Sequence, residues 1–109
     1  LLEVSKKFPS IRAAINLRYD EKIGKCIKGL GWKCVRGRIG EEEMKEEDPV
    51  LVALLRAIAR VREPVDVFFH DAFYGLEASL YVFAEDPMQL AEKVIALANF
   101  CFRTSSSSL

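Results

Sequence analysis

The spacing of hydrophobic and polar positions divides the chain into alternating helices and strands. Apolar residues three to four positions apart predict helices over 1–8, 20–30, 50–61 and 86–98. Short apolar runs between them predict strands over 11–19, 32–35, 65–69 and 79–84. The predicted order α-β-α-β-α-β-β-α is typical of a layered α/β domain. The first strand is apolar on both faces, so we expect the sheet to be covered on both sides.

Several residues mark the ends of these elements. Asp20 is suited to cap the second helix, and Gly31 to end it in the left-handed conformation. Asp48-Pro49 and Asp86-Pro87 both combine an N-cap with proline at the first helical position. The acidic run 41–48 is expected to be a solvated loop or frayed turn. We therefore expect one α/β domain over 1–102 and an unstructured serine-rich tail over 103–109.

Polar side chains follow the first three predicted strands. The set consists of Asn16, Arg18 and Tyr19 after the first strand, Arg36 and Arg38 after the second, and Asp71 and Glu77 around the third. Open α/β folds place ligands at the carboxyl ends of strands, and arginine binds phosphate oxygens in a forked geometry. Alternatively, Arg18 pairs with Asp20 at the surface, and Arg36 and Arg38 pair with the acidic run that follows them.

Composition removes several classes of function. The 109 residues contain 16 Lys+Arg and 16 Asp+Glu, so the chain lacks the basic excess of a nucleic-acid surface. There is no apolar run of membrane-spanning length and no signal-peptide layout at the start, which favours a cytoplasmic protein without membrane contact. The chain begins without Met, as though within a helix, so we expect it to be a fragment of a larger domain.

Cysteine and histidine usage argues against a metal centre and covalent catalysis. The three cysteines, Cys26, Cys34 and Cys101, fit no zinc spacing, and we interpret them as free, buried residues in a reducing compartment. The single histidine, His70, is adjacent to Asp71, which is poor geometry for a His–carboxylate pair within a strand. No nucleophilic serine motif, Walker loop or GxGxxG is present.

The first strand also carries a resemblance to a known family. Residues 11–19, Ile-Arg-Ala-Ala-Ile-Asn-Leu-Arg-Tyr, resemble the IRAAxNIRY signature of the archaeal-type thiamine phosphate synthase domain, which often lies at the C-terminus of a hydroxymethylpyrimidine phosphate kinase. Weaker matches extend to about Phe102. They are Leu30-Gly31-Trp32 with Val35 and Arg38, Pro64–Val67, Gly75-Leu76-Glu77, and the closing helix 86–98.

The resemblance implies a fold, an activity and a set of residues. The family's fold is a three-layer α/β/α sandwich, here with a mixed sheet, and its activity joins hydroxymethylpyrimidine pyrophosphate to thiazole phosphate. Arg18 and Arg38 would then hold phosphate oxygens and stabilise the departing pyrophosphate, and are the implied catalytic residues. The implied ligand-binding residues are Asn16, Arg18, Tyr19, Arg38, Asp71, Gly75 and Glu77.

The chain departs from the family pattern at three places. Leu76 stands where the synthase motif has Lys, Ala78 stands where it has Pro, and the upstream SRH segment is absent. Loss of a lysine from a pyrophosphate site weakens catalysis more than binding. Related regulators carry this domain behind a helix-turn-helix and sense thiamine intermediates. We therefore favour a ligand-sensing module of a transcription regulator, with an active synthase as the alternative.

The expected partners follow from both hypotheses. The ligand is a phosphorylated small molecule, thiamine phosphate or a precursor. No tightly bound cofactor is expected, although Mg²⁺ accompanies a pyrophosphate substrate. Nucleic acid would be contacted through a domain outside this chain. A truncated sheet has an open edge that needs covering, which favours a homodimer.

Overall fold

A computed structural model describes residues 1–107 and confirms the layered α/β architecture. Its elements are α1 (Leu2–Lys7), β1 (Ala13–Arg18), α2 (Glu21–Leu30), β2 (Cys34–Gly37), α3 (Glu41–Met44), α4 (Pro49–Ala59), β3 (Val67–His70), β4 (Ser79–Ala84) and α5 (Pro87–Ser107). The order matches the sequence-based prediction, with one addition: the first half of the acidic run forms the single-turn helix α3. No helix in this part of the chain is long and apolar enough to cross a membrane.

The helix ends have the expected caps. The Asp20 carboxylate accepts a hydrogen bond from the Ile23 amide at 2.8 Å, and Asp48 accepts from Leu51 at 3.1 Å. Gly31 ends α2 with φ of 74°, a conformation that glycine adopts without the Cβ clash of other residues. These local signals fix the points at which α2 and α4 begin and α2 ends.

The four strands form one mixed sheet in the order β1-β4-β3-β2. β4 is antiparallel to both of its neighbours, and β2 is parallel to β3. Consequently β1, β2 and β3 all run in the same direction. β1 is an edge strand, which corrects the prediction that it is covered on both faces: Ile15 and Asn16 are exposed.

Helices cover both faces of the sheet and give the three layers. α1 and α4 enclose one apolar cluster with Phe68 and Phe83, and α2 and α5 enclose a second with Leu80 and Val82. Each of these four sheet residues is at most 2% exposed, so β3 and β4 form the centre of the core. Leu51 and Leu55 of α4 are 37% and 39% exposed, whereas Ala53 and Ala57 of the same helix are buried in the core.

The cysteines differ from the prediction that all three are free and buried. Cys26 of α2 and Cys101 of α5 form a disulfide, with their Cα atoms 5.5 Å apart and a separation of 75 positions in sequence. Cys34 is a free cysteine and is exposed. The inference of a reducing compartment, which rested on three free thiols, therefore loses that support.

The serine-rich tail also differs from the prediction in part. α5 continues through Ser107, so the chain has no break in helical structure at the expected domain boundary near Phe102. Ser108 and Leu109, the end of the predicted tail, lie outside the described residues. The segment after Phe102 contains no proline or glycine that would end a helix, so α5 continues into the serine-rich part of the sequence.

Close packing at Gly37 predicts a measurable effect on stability. A Cβ atom at Gly37 would lie 2.5 Å from the ring of Phe68 and 3.3 Å from the Cβ of Ala53, both fully enclosed. We expect Gly37→Ala to lower the free energy of unfolding in urea by about 1–3 kcal/mol, the usual cost of overpacking. The matched Gly40→Ala, whose Cβ would meet only Glu43 at 3.6 Å, should change it by no more than about 0.5 kcal/mol. Equal effects of the two substitutions would contradict this packing.

Candidate ligand site at the carboxyl edge of the sheet

The sheet topology brings the predicted polar residues to one edge. Because β1, β2 and β3 are parallel to one another, their carboxyl ends meet at the same edge, where β4 begins. We call this the carboxyl edge; its residues are Arg18, Gly37, His70 and Ser79 with the loops that follow or precede them. This topology therefore places Asn16, Arg18, Arg38 and Asp71 at one end of the domain.

The last position of each strand lies in one cross-strand row. Arg18 is opposite Ser79, Ser79 is opposite His70, and His70 is opposite Gly37. Residues that are directly opposite share a face of the sheet. This face is the one covered by α4, since Phe68, two residues before His70, packs in the α4 cluster.

His70 is the buried centre of this row. It is fully buried, its Nε2 lies 2.8 Å from Ser79 Oγ, and its Nδ1 lies 3.0 Å from the backbone oxygen of Asp71. A carbonyl oxygen only accepts, so Nδ1 carries the ring proton and the Ser79 hydroxyl donates to Nε2. Burial lowers the pKa of His70, which keeps the ring neutral. The pair therefore fixes the orientation of Ser79 beside Arg18.

The next row on the same face contains a second polar pair. Asn16 is opposite Tyr81, and its Nδ2 donates to the Tyr81 hydroxyl at 3.5 Å. Both residues line a cleft of about 440 Å³ between β1 and α4, which we call the α4 cleft. Its other walls are mostly apolar: Leu1, Ala14, Asp48, Val50, Leu51, Leu54 and Phe83. An amide, a phenol and the Arg18 guanidinium beside an apolar cleft are suited to a ligand with one polar end.

The end of β2 carries a second basic region. Arg36 forms an ion pair with Asp71, across the parallel pairing of β2 with β3. This partner differs from the acidic run that the sequence offered as the alternative. Arg38 lines an open cavity of about 540 Å³ with Arg36, Gly40, Glu43 and Asp71. Among residues 1–107, neither Arg18 nor Arg38 has a carboxylate within 4 Å, so both guanidinium groups are available to an anion.

Glu43 shows that this region stabilises negative charge. Its carboxylate accepts the Gly40 amide at 2.8 Å and the Arg56 guanidinium at 2.5 Å. The backbone hydrogen bond from Gly40, followed by the amide of Glu43 itself and by Arg56, lowers the pKa of Glu43. The backbone amide and arginine around Glu43 are the donors that proteins use to bind phosphate oxygens.

Other predicted site residues lie away from this face. Tyr19 stacks on Phe69 on the α2 side of the sheet, with ring centroids 5.0 Å apart, so the sheet separates it from Asn16. Gly75 has φ of 76° in a tight turn closed by paired hydrogen bonds between Phe73 and Leu76. Glu77 is exposed on the same loop. The structure therefore groups Asn16 with Arg18 and Arg38 with Asp71, places Tyr19 on the other face, and leaves Gly75 and Glu77 on the β3–β4 loop of the carboxyl edge.

The two basic points are well separated. β1 and β2 are the outer strands of the sheet, three inter-strand spacings apart, which is about 14 Å at the usual strand separation. Arg18 ends β1 and Arg38 follows β2, so the two arginines approach the carboxyl edge from opposite sides of the sheet. Within the described residues no group of three or more His, Cys, Asp or Glu side chains is arranged to hold a metal ion.

Sequence reasoning missed Ser79 and Tyr81. Both lie on β4, and they join the site through strand register rather than through a strand end. The available signal was the short connection between the third and fourth predicted strands, which indicates an antiparallel pair. Pairing those strands would have placed a polar residue of β4 opposite His70.

Comparisons with known proteins agree with this architecture. A family model described as thiamine-phosphate synthase ThiN matches residues 1–96. A crystal structure of the C-terminal domain of phosphomethylpyrimidine kinase is similar, with a TM-score of 0.71 and 28% identity over 88% of this chain and 56% of that chain. The C-terminal domain of protein MJ0236 has the same fold, with a TM-score of 0.79 and 22% identity over 94% and 55%. The chain thus spans little more than half the length of these structures. No curated protein matches it significantly.

The buried His70 predicts a pH-dependent stability. Its pKa is lowered by folding, so the unfolded chain binds the proton more readily, and stability falls as pH drops below about 6.5, the ordinary value for histidine. We expect urea unfolding to show this loss between about pH 7.5 and 5.5, with a slope of at most about 1.4 kcal/mol per pH unit. His70→Asn should flatten the profile, since the chain has a single histidine. If the pH profiles of the parent and of His70→Asn fall in parallel, the loss of stability does not come from His70.

Proposed function

Since the chain belongs to the thiamine-phosphate synthase ThiN family, we propose that it binds thiamine phosphate or a phosphorylated thiamine precursor at the carboxyl edge of the sheet. The observation that carries the proposal is the unpaired Arg18, which lies on the same face of the sheet one row beyond Asn16 and Tyr81, the polar residues of the α4 cleft. The guanidinium would hold phosphate oxygens, and the amide and the phenol would donate to further oxygens. The cleft, at about 440 Å³, is within the size range of small-molecule sites.

We further propose that this binding serves sensing, as the ligand-binding module of a transcription regulator. The support is the charge of the loop between β3 and β4. Its charged residues are Asp71 and Glu77, and Leu76 replaces the lysine of the synthase motif. A loop with two carboxylates and no cation does not stabilise a departing pyrophosphate. In this proposal DNA is contacted by a separate domain, and the protein acts in the cytoplasm.

An active synthase is the second candidate. It is favoured by the description of the matching family and by the two separate basic points at the carboxyl edge. The two substrates each carry phosphate, and Arg18 and Arg38 would each hold one of them. Mg²⁺ would enter as the companion of the pyrophosphate substrate.

The open edge of β1 supports a further proposal on assembly. The strand presents unpaired backbone groups and the 36% exposed Ile15, which lines a shallow groove with the exposed Ile95 of α5. Exposed strand edges pair readily with another strand unless they are covered. A homodimer through β1, or coverage by the part of the family domain that this chain does not span, would remove this edge from solvent.

A titration followed by a turnover assay separates the two candidates. The protein is titrated calorimetrically with thiamine phosphate and with thiazole phosphate, and then incubated with both synthase substrates. Binding without product supports sensing, and product formation supports the synthase. Absence of binding to any of these phosphate esters would overturn the proposed function and leave the family assignment of the fold.

Arg18→Ala is expected to weaken the binding of thiamine phosphate about 10- to 100-fold, because a hydrogen bond to a charged group contributes about 1.5–3 kcal/mol. Arg12→Ala is the matched control, since Arg12 is exposed at the opposite end of the same segment and contacts the Pro9 oxygen at 3.4 Å. It should leave the dissociation constant within about twofold. If the Arg18 variant folds normally and binds as tightly as the parent, the phosphate is held elsewhere.

Leu76→Lys tests the role of the β3–β4 loop. Restoring a cation beside two carboxylates should raise the rate of thiamine phosphate formation from a low or undetectable level by at least about tenfold, if the missing lysine limits catalysis. Leu76→Met is the control for side-chain length without charge. A parent protein with full turnover, or a Lys variant with no gain over the Met variant, would remove the reason for preferring sensing.

A further inference from the structure

We propose that a second cavity, on the α2 side of the sheet, is a binding site for a planar aromatic or heteroaromatic molecule that carries an anionic group. This cavity has a volume of about 410 Å³, and we call it the α2 cavity. The residues that define its chemistry are Tyr19, Lys25, Lys28, Trp32, Cys34 and Phe69. It lies on the opposite face of the sheet from Asn16 and Tyr81, so the inference does not depend on the proposed function.

The cavity exists because two helices are too few to cover this face of a four-stranded sheet. α5 packs against β4 and β1, and α2 packs against α5. β2, at the far edge, is covered by α4 on the other face but has no helix over its α2 side. Cys34 and Arg36, which alternate with residues of the α4 side, are accordingly exposed. The groove between α2 and β2 is the space that remains.

Aromatic rings form much of its wall. Tyr19 and Phe69 are stacked with an interplanar angle of 26° and present a continuous ring surface. Gly24 allows this arrangement, because a Cβ atom there would lie 2.9 Å from the Tyr19 hydroxyl oxygen. Lys93 lies over the Trp32 ring at 5.7 Å from its centroid, so Trp32 meets the cavity with its remaining surface. Ring surfaces of this kind favour flat, polarisable ligands.

Positive charge is placed beside these rings. Lys25 and Lys28 are one turn apart on α2, and both line the cavity. Neither has a carboxylate within 4 Å in the part of the chain that the structure describes. Glu21, at the start of the helix, is the single acidic residue of the lining. Two unpaired ammonium groups against one carboxylate favour an anionic substituent, such as phosphate, sulfonate or carboxylate, on the aromatic ligand.

The cavity carries two natural reporters of occupancy. Trp32 is the single tryptophan of the chain, so fluorescence quenching by a ligand reports this site. Cys34 is the free cysteine of the lining, whereas Cys26 and Cys101 are joined in the disulfide. Partial burial and the nearby Asp66 carboxylate raise the pKa of Cys34, so alkylation should be measured at mildly alkaline pH.

The test uses 4-nitrophenyl phosphate, a planar aromatic anion that quenches tryptophan. We expect saturable quenching of Trp32 and, over the same concentrations, slower alkylation of Cys34 by iodoacetamide, followed by mass spectrometry. Inorganic phosphate lacks the aromatic ring and 4-nitrobenzyl alcohol lacks the negative charge, so each should bind at least about tenfold more weakly. Quenching that rises linearly without protection of Cys34, or equal binding of the neutral alcohol, would overturn the proposal.

Charge reversal on α2 supplies the matched variants. Lys25→Glu combined with Lys28→Glu should weaken 4-nitrophenyl phosphate binding by roughly tenfold or more, as expected for loss of charged hydrogen bonds. Lys22→Glu changes an exposed lysine of the same helix that does not line the cavity, and should leave binding within about twofold. Circular dichroism and urea unfolding confirm that the variants fold.

Arg18→Ala distinguishes this site from the carboxyl edge. Binding of the probe should be unchanged in Arg18→Ala, while binding of thiamine phosphate at the proposed functional site is weakened about 10- to 100-fold. If Arg18→Ala abolishes probe binding and the double lysine variant does not, the aromatic anion binds at the carboxyl edge and the α2 cavity is not its site. The proposal for the α2 cavity and the proposal for the carboxyl edge can therefore be refuted independently.

Discussion

The reversal of chain direction at β4 is the constraint on which the rest of the structure depends. β4 is antiparallel to both neighbours, and this arrangement makes β1 and β3 run in the same direction although they do not touch. The central β3–β4 pair is held by side chains buried on both faces, and a shift of one residue would exchange the two apolar clusters. Its register therefore determines both the core and the alignment of Arg18, Ser79 and His70.

Local sequence signals predicted the elements well and their environments less well. Asp20, Gly31 and Asp48 act through the adjacent backbone, so they could be recognised from a few residues. The exposure of Ile15 depends on strand order, which no local pattern encodes. The polar positions of β4 likewise join the site only because an eight-residue connection returns the chain beside β3. The disulfide is a further contact of this kind, since it joins two helices that are distant in sequence.

The distribution of charge separates structural residues from those available to ligands. Arg36 and Arg56 have carboxylate partners in Asp71 and Glu43, and these contacts join β2 to the β3–β4 loop and α4 to α3. Arg18 and Arg38 remain unpaired at opposite sides of the same edge. The sequence offered Arg18, Arg36 and Arg38 as candidates at strand ends, and it could not show that Arg36 has a partner, because the partner lies on a loop that the sheet brings together with β2.

The disulfide encloses one part of the chain in a covalent loop and leaves another part outside it. The loop closed by Cys26 and Cys101 contains β2, β3 and β4, whereas α1 and β1 lie outside it. Such a cross-link restricts the unfolded form of the enclosed segment and leaves the segment outside it unrestricted. The N-terminal strand can therefore separate from β4 while the rest of the sheet is still tethered. Asn16 and Arg18 are thus carried by the one strand outside the covalent loop, so its detachment would open the α4 cleft while the other three strands stay tethered to one another.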